Sequence, residues 1–367
     1  MKIRLIKFID RLMGGILTTC LPSASVRPIP VPRRILLIRP GGIGDAVLFT
    51  PTILHLANIY PEAKLTVLAE KRNSAIFRLC PAISKVLQYD KPGELLTAIR
   101  GHYDVVIDSE QWYYLSAVVA RLTKSPMKIG FSTNNRKKLF THPVPYAQEM
   151  YEADCFATLL GPLGLPKPFL IEIPFLTLPD AAVAESEKLL APLSGKPFVA
   201  VFPGASTPEK LWGTGRFRQL VSLLNKRGLK VVIVGGRDDF QAGEVIAKGN
   251  DVLNLAGRSS LSVTGALIHK GAALISGDSG LLHMAVGLGV PAIAIFGPSD
   301  PGKWGPRHGK HAVVCKRLPC SPCARFGSIP RCTFNGACLV ISADEVFKQV
   351  IEQLDIAQQS ESARMRG

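Results

Sequence analysis

The sequence predicts an α/β protein built from two doubly wound parallel sheets. Three observations carry this. Short apolar runs rich in Ile, Leu and Val alternate with helical stretches, the pattern of parallel strands covered on both faces. The alternation breaks at a Pro-rich connector, Pro162 to Pro179, and then starts again. In the second half, four successive strands each run into a glycine-containing turn. At 367 residues the chain also exceeds the size at which a single core keeps growing, so two domains are expected. Open α/β sheets bind ligands outside the carboxyl ends of their strands. The expected arrangement is therefore two domains whose carboxyl edges face a central cleft.

Residues 1–33 precede the first strand. They carry Lys2, Arg4, Lys7 and Arg11 against a single acid, Asp10, with Ile3, Leu5, Ile6, Phe8, Ile9, Leu12, Met13, Ile16 and Leu17 supplying apolar surface. Arg4, Lys7 and Arg11 are spaced i, i+3, i+7 and share a helix face, the pattern of a helix lying in an anionic membrane interface. Two other readings stand beside it. One is a helix docked on the body of the protein. The other is a secretory signal with Ala24 near its cleavage site, weakened by charges that recur as far as Arg11. Pro22, Pro28, Pro30 and Pro32 then form an extended linker.

Ile35 to Ile38 are the first strand, and Gly41, Gly42 and Gly44 let the backbone turn tightly after it. A helix from Ala46 to Tyr60 follows, with Val47, Leu48, Ile53, Leu54, Leu56 and Ile59 on its apolar side and Pro51 near its first turn or kinking it. Asp45 is thus a carboxylate at a strand-to-helix turn. It either caps the helix, a role Asp favours, or serves a ligand. Gly42 and Gly44, with Glu70 after the next strand (Leu65 to Leu68), form part of a dinucleotide fingerprint, but Val47 stands where the third glycine belongs. Further strands are expected at Val86–Gln88, Val105–Ile107 and Met127–Phe131, with a helix from Tyr113 to Leu122. The stretch 132–146 reads as a polar loop carrying Arg136, Lys137 and Lys138. The domains are expected at 34–178 and 179–355, with a polar tail at 356–367.

The second domain repeats the plan. Phe198–Phe202 is a strand followed by Ser206, Glu209, Lys210 and Trp212, and Phe217 to Arg227 is a helix. Val231–Val234 runs into Gly235, Gly236, Asp238 and Asp239, where a carboxylate can accept ribose hydroxyls. Leu274–Ser276 runs into Gly277-Asp278-Ser279-Gly280-Leu281-Leu282-His283. Ser279 and Gly280 open a helix there, and free first-turn amides next to small residues suit an anion. His283 lies one turn in, either buried beneath the helix or reaching the same anion. Ala292–Phe296 ends in Gly297-Pro298. In a loop at the carboxyl edge, Lys210 is a candidate phosphate partner rather than a solvated charge.

Lys plus Arg number 44 against 28 Asp plus Glu, a formal net charge of +16, which points to an anionic partner. Nucleic acid is disfavoured: no recognisable binding motif is present, and the charges are scattered rather than gathered in a stripe. No apolar run is long enough to span a bilayer. Of eight cysteines, Cys320, Cys323, Cys332 and Cys338 cluster near the end of the second domain. Zinc, free thiols and a redox pair all remain open readings for them.

The glycine turn with Asp45, the Lys210-x-Trp212 loop, Asp278-Ser279-Gly280-x-x-His283 and Phe296-Gly-Pro-Ser-Asp300…Trp304-Gly-Pro306 occur in this order. Together they resemble the heptosyltransferase family of lipopolysaccharide glycosyltransferases, family 9, over roughly 34–350. The resemblance implies the GT-B fold of two Rossmann-like domains. It also implies an inverting transfer of a sugar from a nucleotide-diphosphate donor, usually ADP-heptose, to the lipopolysaccharide inner core. In that reading Asp45 is the general base, Lys210 meets the donor phosphates, and Asp278, Ser279, Gly280 and His283 form the donor motif. Gly42, Gly44, Ser206, Trp212 and Asp238 complete the donor side, and Arg136, Lys137 and Lys138 are candidates for an anionic glycolipid acceptor. No metal is required, because a lysine and a helix N-terminus can stabilise a leaving diphosphate. The expected location is the cytoplasmic face of the inner membrane. Gly41 and Gly42 stand where relatives often carry hydroxyl residues, and Ala205 replaces a frequent threonine, departures that bear on sugar and acceptor identity. An NAD(P)-dependent oxidoreductase, resting on Gly42, Gly44 and Glu70, and a non-catalytic nucleotide-sugar-binding protein are the rival readings.

Overall fold

The computed structural model describes residues 7–24, 31–165, 171–307, 310–325 and 328–364, with side chains described as far as 356. Lys2, Ile3, Arg4, Leu5, Ile6, Pro28 and Pro30 of the N-terminal reading lie outside these residues. The chain divides into two compact units, 1–170 and 171–367.

Among the described residues the first unit holds six strands: β1 (Arg34–Arg39), β2 (Lys64–Ala69), β3 (Ile83–Gln88), β4 (Val105–Asp108), β5 (Met127–Phe131) and β6 (His142–Val144). Their order is β3-β2-β1-β4-β5-β6, and every neighbouring pair is parallel. The chain winds outward from β1 to β3, returns to β4 and winds the other way. The carboxyl ends of β1 and β4 therefore flank the point where the winding reverses, the usual crevice for a ligand in such sheets. Ile35 to Ile38 are fully buried because both faces of the sheet are covered, which is why this strand reads as an unbroken apolar run.

Helix α1 spans residues 7–20, with a π-helical stretch at Asp10–Gly14 followed by α-helix over Gly15–Cys20. It is docked on the first unit. The Asp10 carboxylate accepts hydrogen bonds from the amides of Tyr114 (3.0 Å) and Leu115 (2.7 Å), which open helix α3 (Tyr114–Leu122). Gly14 lies so close to that helix that a Cβ on it would come within 2.7 Å of the Tyr114 Cβ. Helix α2 (Ile43–Ile59) begins earlier than expected, with Gly42 as its cap and Pro51 well inside it. Phe49 of α2 meets Phe156 of α4 (Glu152–Thr158) edge-on at 5.3 Å. The stretch 132–146, expected to be a loop, instead forms a 3₁₀ turn at Asn135–Leu139 and the edge strand β6. A three-residue edge strand containing Pro143 leaves no readable period.

The second unit repeats the topology with β7 (Phe198–Phe202), β8 (Lys230–Ile233), β9 (Val252–Asn254), β10 (Ala273–Gly277), β11 (Ala292–Phe296) and β12 (His311–Cys315) in the order β12-β11-β10-β7-β8-β9, all parallel. Its reversal point lies between β7 and β10. Helix α5 (Thr214–Lys226) packs Phe217, Leu220, Val221 and Leu224 onto the core, and helix α6 (Gly280–Gly287) follows β10. The segment 171–178 belongs here rather than with the first domain, since the amides of Phe175 and Leu176 both donate to the Gly287 carbonyl (2.9 and 3.0 Å). Helix α7 (Ala343–Arg364) buries Val346 and Val350, and the expected polar tail continues it as far as Arg364.

Candidate active site

In the first unit the reversal point is organised by a residue that sequence reasoning missed, Arg39, the last residue of β1. Its guanidinium is fully buried. Nε donates to the Pro40 carbonyl (2.8 Å), Nη1 to the Ser109 carbonyl (2.7 Å) and Gln111 Oε1 (3.1 Å), and Nη2 to Glu110 Oε2 (3.2 Å). Burial disfavours the charge, but Asp45 and Glu110 outweigh it and hold Arg39 above the usual arginine range. Gly41 follows with φ +111°, and a Cβ there would sit 3.0 Å from Nη2, so this turn requires glycine twice over. Asp45 lies in the first turn of α2, its Oδ2 3.6 Å from Arg39 Nη2 and its side chain 23% exposed. It does not cap the helix. The contact is an ion pair without a hydrogen bond, so both carboxylate oxygens keep lone pairs for a proton. Glu110 in turn accepts from the amides of Gln111 and Trp112, each at 3.0 Å, and Gln111 Nε2 donates to Glu152 (2.6 Å). The result is one partly accessible carboxylate presented at the carboxyl edge by a buried, hydrogen-bonded scaffold.

In the second unit, the loops after β7 and β10 bring Lys210, Asp278 and His283 together. Lys210 Nζ donates to Asp278 Oδ2 at 2.6 Å, and His283 Nε2 lies 4.0 Å from Asp278 Oδ1. Burial pushes the Asp278 carboxyl up, but Lys210 and His283 together outweigh it and hold the group below its ordinary value. Ser279 caps α6: its Oγ accepts from the Leu282 amide (3.1 Å) and shares a hydrogen bond with Ser276 Oγ (2.8 Å). The amides of Gly280 and Leu281 are first-turn donors of the helix that follows Asp278, the residue holding the lysine. A cation and a helix N-terminus thus converge at the reversal point, a place built for a phosphate.

A model of glycosyltransferase family 9 (heptosyltransferase) matches residues 93–332. The chain belongs to glycosyltransferase family 9. Lipopolysaccharide heptosyltransferase 3 of Escherichia coli is 29% identical over 287 residues, covering 72% of this chain and 83% of that one. Among solved structures, E. coli ADP-heptose lipopolysaccharide heptosyltransferase II superposes with a TM-score of 0.75 at 22% identity, covering 89% of this chain and 99% of the other. A family 9 glycosyl transferase from Veillonella parvula superposes at 0.77 with 21% identity, covering 90% and 99%. The fold of this glycosyltransferase is GT-B, two Rossmann-like domains, as the sequence motifs imply.

Two expected site residues of the glycosyltransferase, Arg136 and Trp212, sit elsewhere than foreseen. Arg136 does not face an acceptor. It is fully buried, with its guanidinium paired to Asp108 and hydrogen-bonded to the Glu110 carbonyl, and the 3₁₀ turn aims it inward. Of its neighbours, Lys137 is exposed, and Lys138 donates to the Thr19 carbonyl of α1 at 3.0 Å. Trp212 is 1% exposed, donates Nε1 to the Ile341 carbonyl (3.0 Å) and meets Phe217 edge-on at 4.8 Å, so it is core rather than donor contact. Asp238 is exposed on a 3₁₀ turn, while Asp239 folds back to accept from the Gly236 amide at 2.7 Å. Ser206 is exposed in the loop before Lys210, Gly42 caps α2, and Gly44 lies in its first turn. Glu70, the oxidoreductase candidate, is paired with Arg72 at 2.6 Å. All eight cysteines are free thiols, and among the described residues no group of three or more His, Cys, Asp or Glu is placed to hold a metal ion.

Proposed function

We propose that this glycosyltransferase moves a heptose from ADP-heptose to the lipopolysaccharide inner core with inversion at the anomeric carbon. The observation that carries the proposal is the pairing of chemistries at the two reversal points: a carboxylate positioned by Arg39 in one unit, and in the other a lysine held by Asp278, the residue that leads into a helix N-terminus. Family membership and likeness to an enzyme whose name specifies ADP-heptose support the choice of donor.

Asp45 takes the proton from the acceptor hydroxyl as its oxygen attacks the anomeric carbon. The bond from that carbon to the diphosphate oxygen breaks, and ADP leaves. Charge developing on the diphosphate is met by Lys210 and by the Gly280 and Leu281 amides, which supply positive potential where it grows. Asp278 holds Lys210 in place, with His283 behind it. Ser206 and Asp238 border the nucleoside end. Lys137 and Lys138 remain the basic candidates for an anionic glycolipid, and the enzyme works peripherally at the cytoplasmic face of the inner membrane. Because a lysine and a helix dipole serve the leaving group, no metal is needed for this step.

Thermal stabilisation by a panel of nucleotides tests the donor. ADP and ADP-heptose should raise Tm well above the effect of UDP or GDP, since selective binding to the native state stabilises it. Lys210→Ala should weaken ADP binding by about 1.5–3 kcal/mol. Transfer should persist in EDTA. Equal response to all nucleotides would overturn the donor assignment, and a complete, magnesium-reversible loss in EDTA would overturn the metal-free step.

A further inference from the structure

A helix docked on a protein normally turns its apolar face inward. Helix α1 does the reverse. Its inward column is Asp10, Gly14 and Thr18, spaced i, i+4, i+8 and buried. Its outward column is Phe8, Leu12 and Ile16, which are 63%, 55% and 58% exposed, with Ile9, Met13 and Leu17 exposed beside them. The helix cannot roll over to hide this face. Asp10 would lose both α3 amides, and Gly14 fits where no side chain does. Six large apolar side chains contiguous on one short helix are a surface with a partner, unlike singly scattered ones.

Charge identifies the partner. Arg11 and Lys137 are exposed, Lys138 lies at the far end of α1 on the Thr19 carbonyl, and Lys7 sits at its start, 5.5 Å above the Tyr113 ring. The one acid in residues 7–21 is Asp10, and it is buried. A second copy docked symmetrically would set these cations against one another. An anionic bilayer satisfies both features, taking the apolar column into the acyl boundary and the cations to lipid phosphates.

We propose that α1 is a rigid bilayer-docking element for anionic lipid, inserting Phe8, Leu12, Met13 and Ile16 and setting Arg11, Lys137 and Lys138 against headgroups. Asp10 anchors it to the start of α3, directly after the loop 109–113 whose groups hold Arg39. Docking there brings the carboxyl edge bearing Asp45 to the lipid surface, where a lipid-linked acceptor would be met. That last purpose rests on the proposed function; the docking itself does not.

The test is co-sedimentation of the full-length protein with phosphatidylcholine vesicles, with and without phosphatidylglycerol. The wild type should bind the phosphatidylglycerol vesicles and not the neutral ones. Phe8→Ser, Leu12→Ser and Ile16→Ser combined should lower partitioning by about tenfold or more with Tm nearly unchanged, because each of these residues is more than half exposed. Arg11→Glu should lower it by at least about fivefold, an effect that fades at high salt. Leu12→Trp should be quenched by brominated acyl chains. Equal binding by the triple variant, or no binding by the wild type, would overturn the proposal. So would a wild-type dimer in sedimentation velocity that the triple variant dissolves without any vesicle binding. The vesicles contain no glycolipid, so a failure of the transferase reading leaves this result untouched.

Discussion

Arg39 has every nitrogen engaged within a fully buried site, yet it also faces Asp45. Its role is to position that carboxylate. Arg39→Met should destabilise the protein by about 3–5 kcal/mol, measured by urea unfolding, because Glu110 is left buried without its cation. Asp278 gives a pH test. Its folded value lies below the ordinary 3.8 because Lys210 and His283 outweigh burial, so its contribution is present above 3.8 and is lost as pH falls through the folded value. The Tm difference between wild type and Asp278→Asn should therefore be full near about pH 7 and narrow below about pH 4. A difference independent of pH would place the contribution elsewhere. Asp45, Lys210 and Asp278 could be singled out in the sequence because each follows a strand and a tight turn. Arg39 could have been found as well: a charge closing a buried apolar strand must have partners. Trp212 could not, since an aromatic residue beside Lys210 carries no mark of the face it takes.

At the scale of elements, the 3₁₀ turn Asn135–Leu139 shows how local geometry sorts three adjacent cations. Arg136 is turned inward onto Asp108, while Lys137 faces solvent. Arg136→Ala should cost about 3–5 kcal/mol in equilibrium unfolding, and Lys137→Ala should stay within about 0.5 kcal/mol. Comparable small losses in both would return Arg136 to the surface. A run of basic residues reads as solvated because sequence alone does not reveal a short turn of three residues per repeat. The strands β1, β4, β7, β8 and β11 were legible for the opposite reason: burial on both faces demands nearly unbroken apolar runs. Edge strands β6, β9 and β12 lack that demand and leave a faint pattern. Helix α1 was legible as amphipathic, but which of its faces would be covered depends on Asp10 finding the amides of α3 across 104 residues of sequence.

At the scale of the molecule, the repeated strand order places one reversal point in each unit, and the functional candidates collect at both. This division of labour is what an inverting transfer asks of a protein: a base for the acceptor and positive potential for the leaving group. The most direct measurement is transfer itself. The protein is incubated with ADP-heptose and a heptose-deficient lipopolysaccharide acceptor in EDTA, and the acceptor is analysed by mass spectrometry for an added heptosyl group. The wild type should form product and release ADP, while Asp45→Asn should bind ADP normally, keep its Tm and turn over roughly 10²-fold or more slowly. Near-normal product formation by Asp45→Asn would contradict the account, as would a wild type that binds ADP-heptose yet transfers nothing.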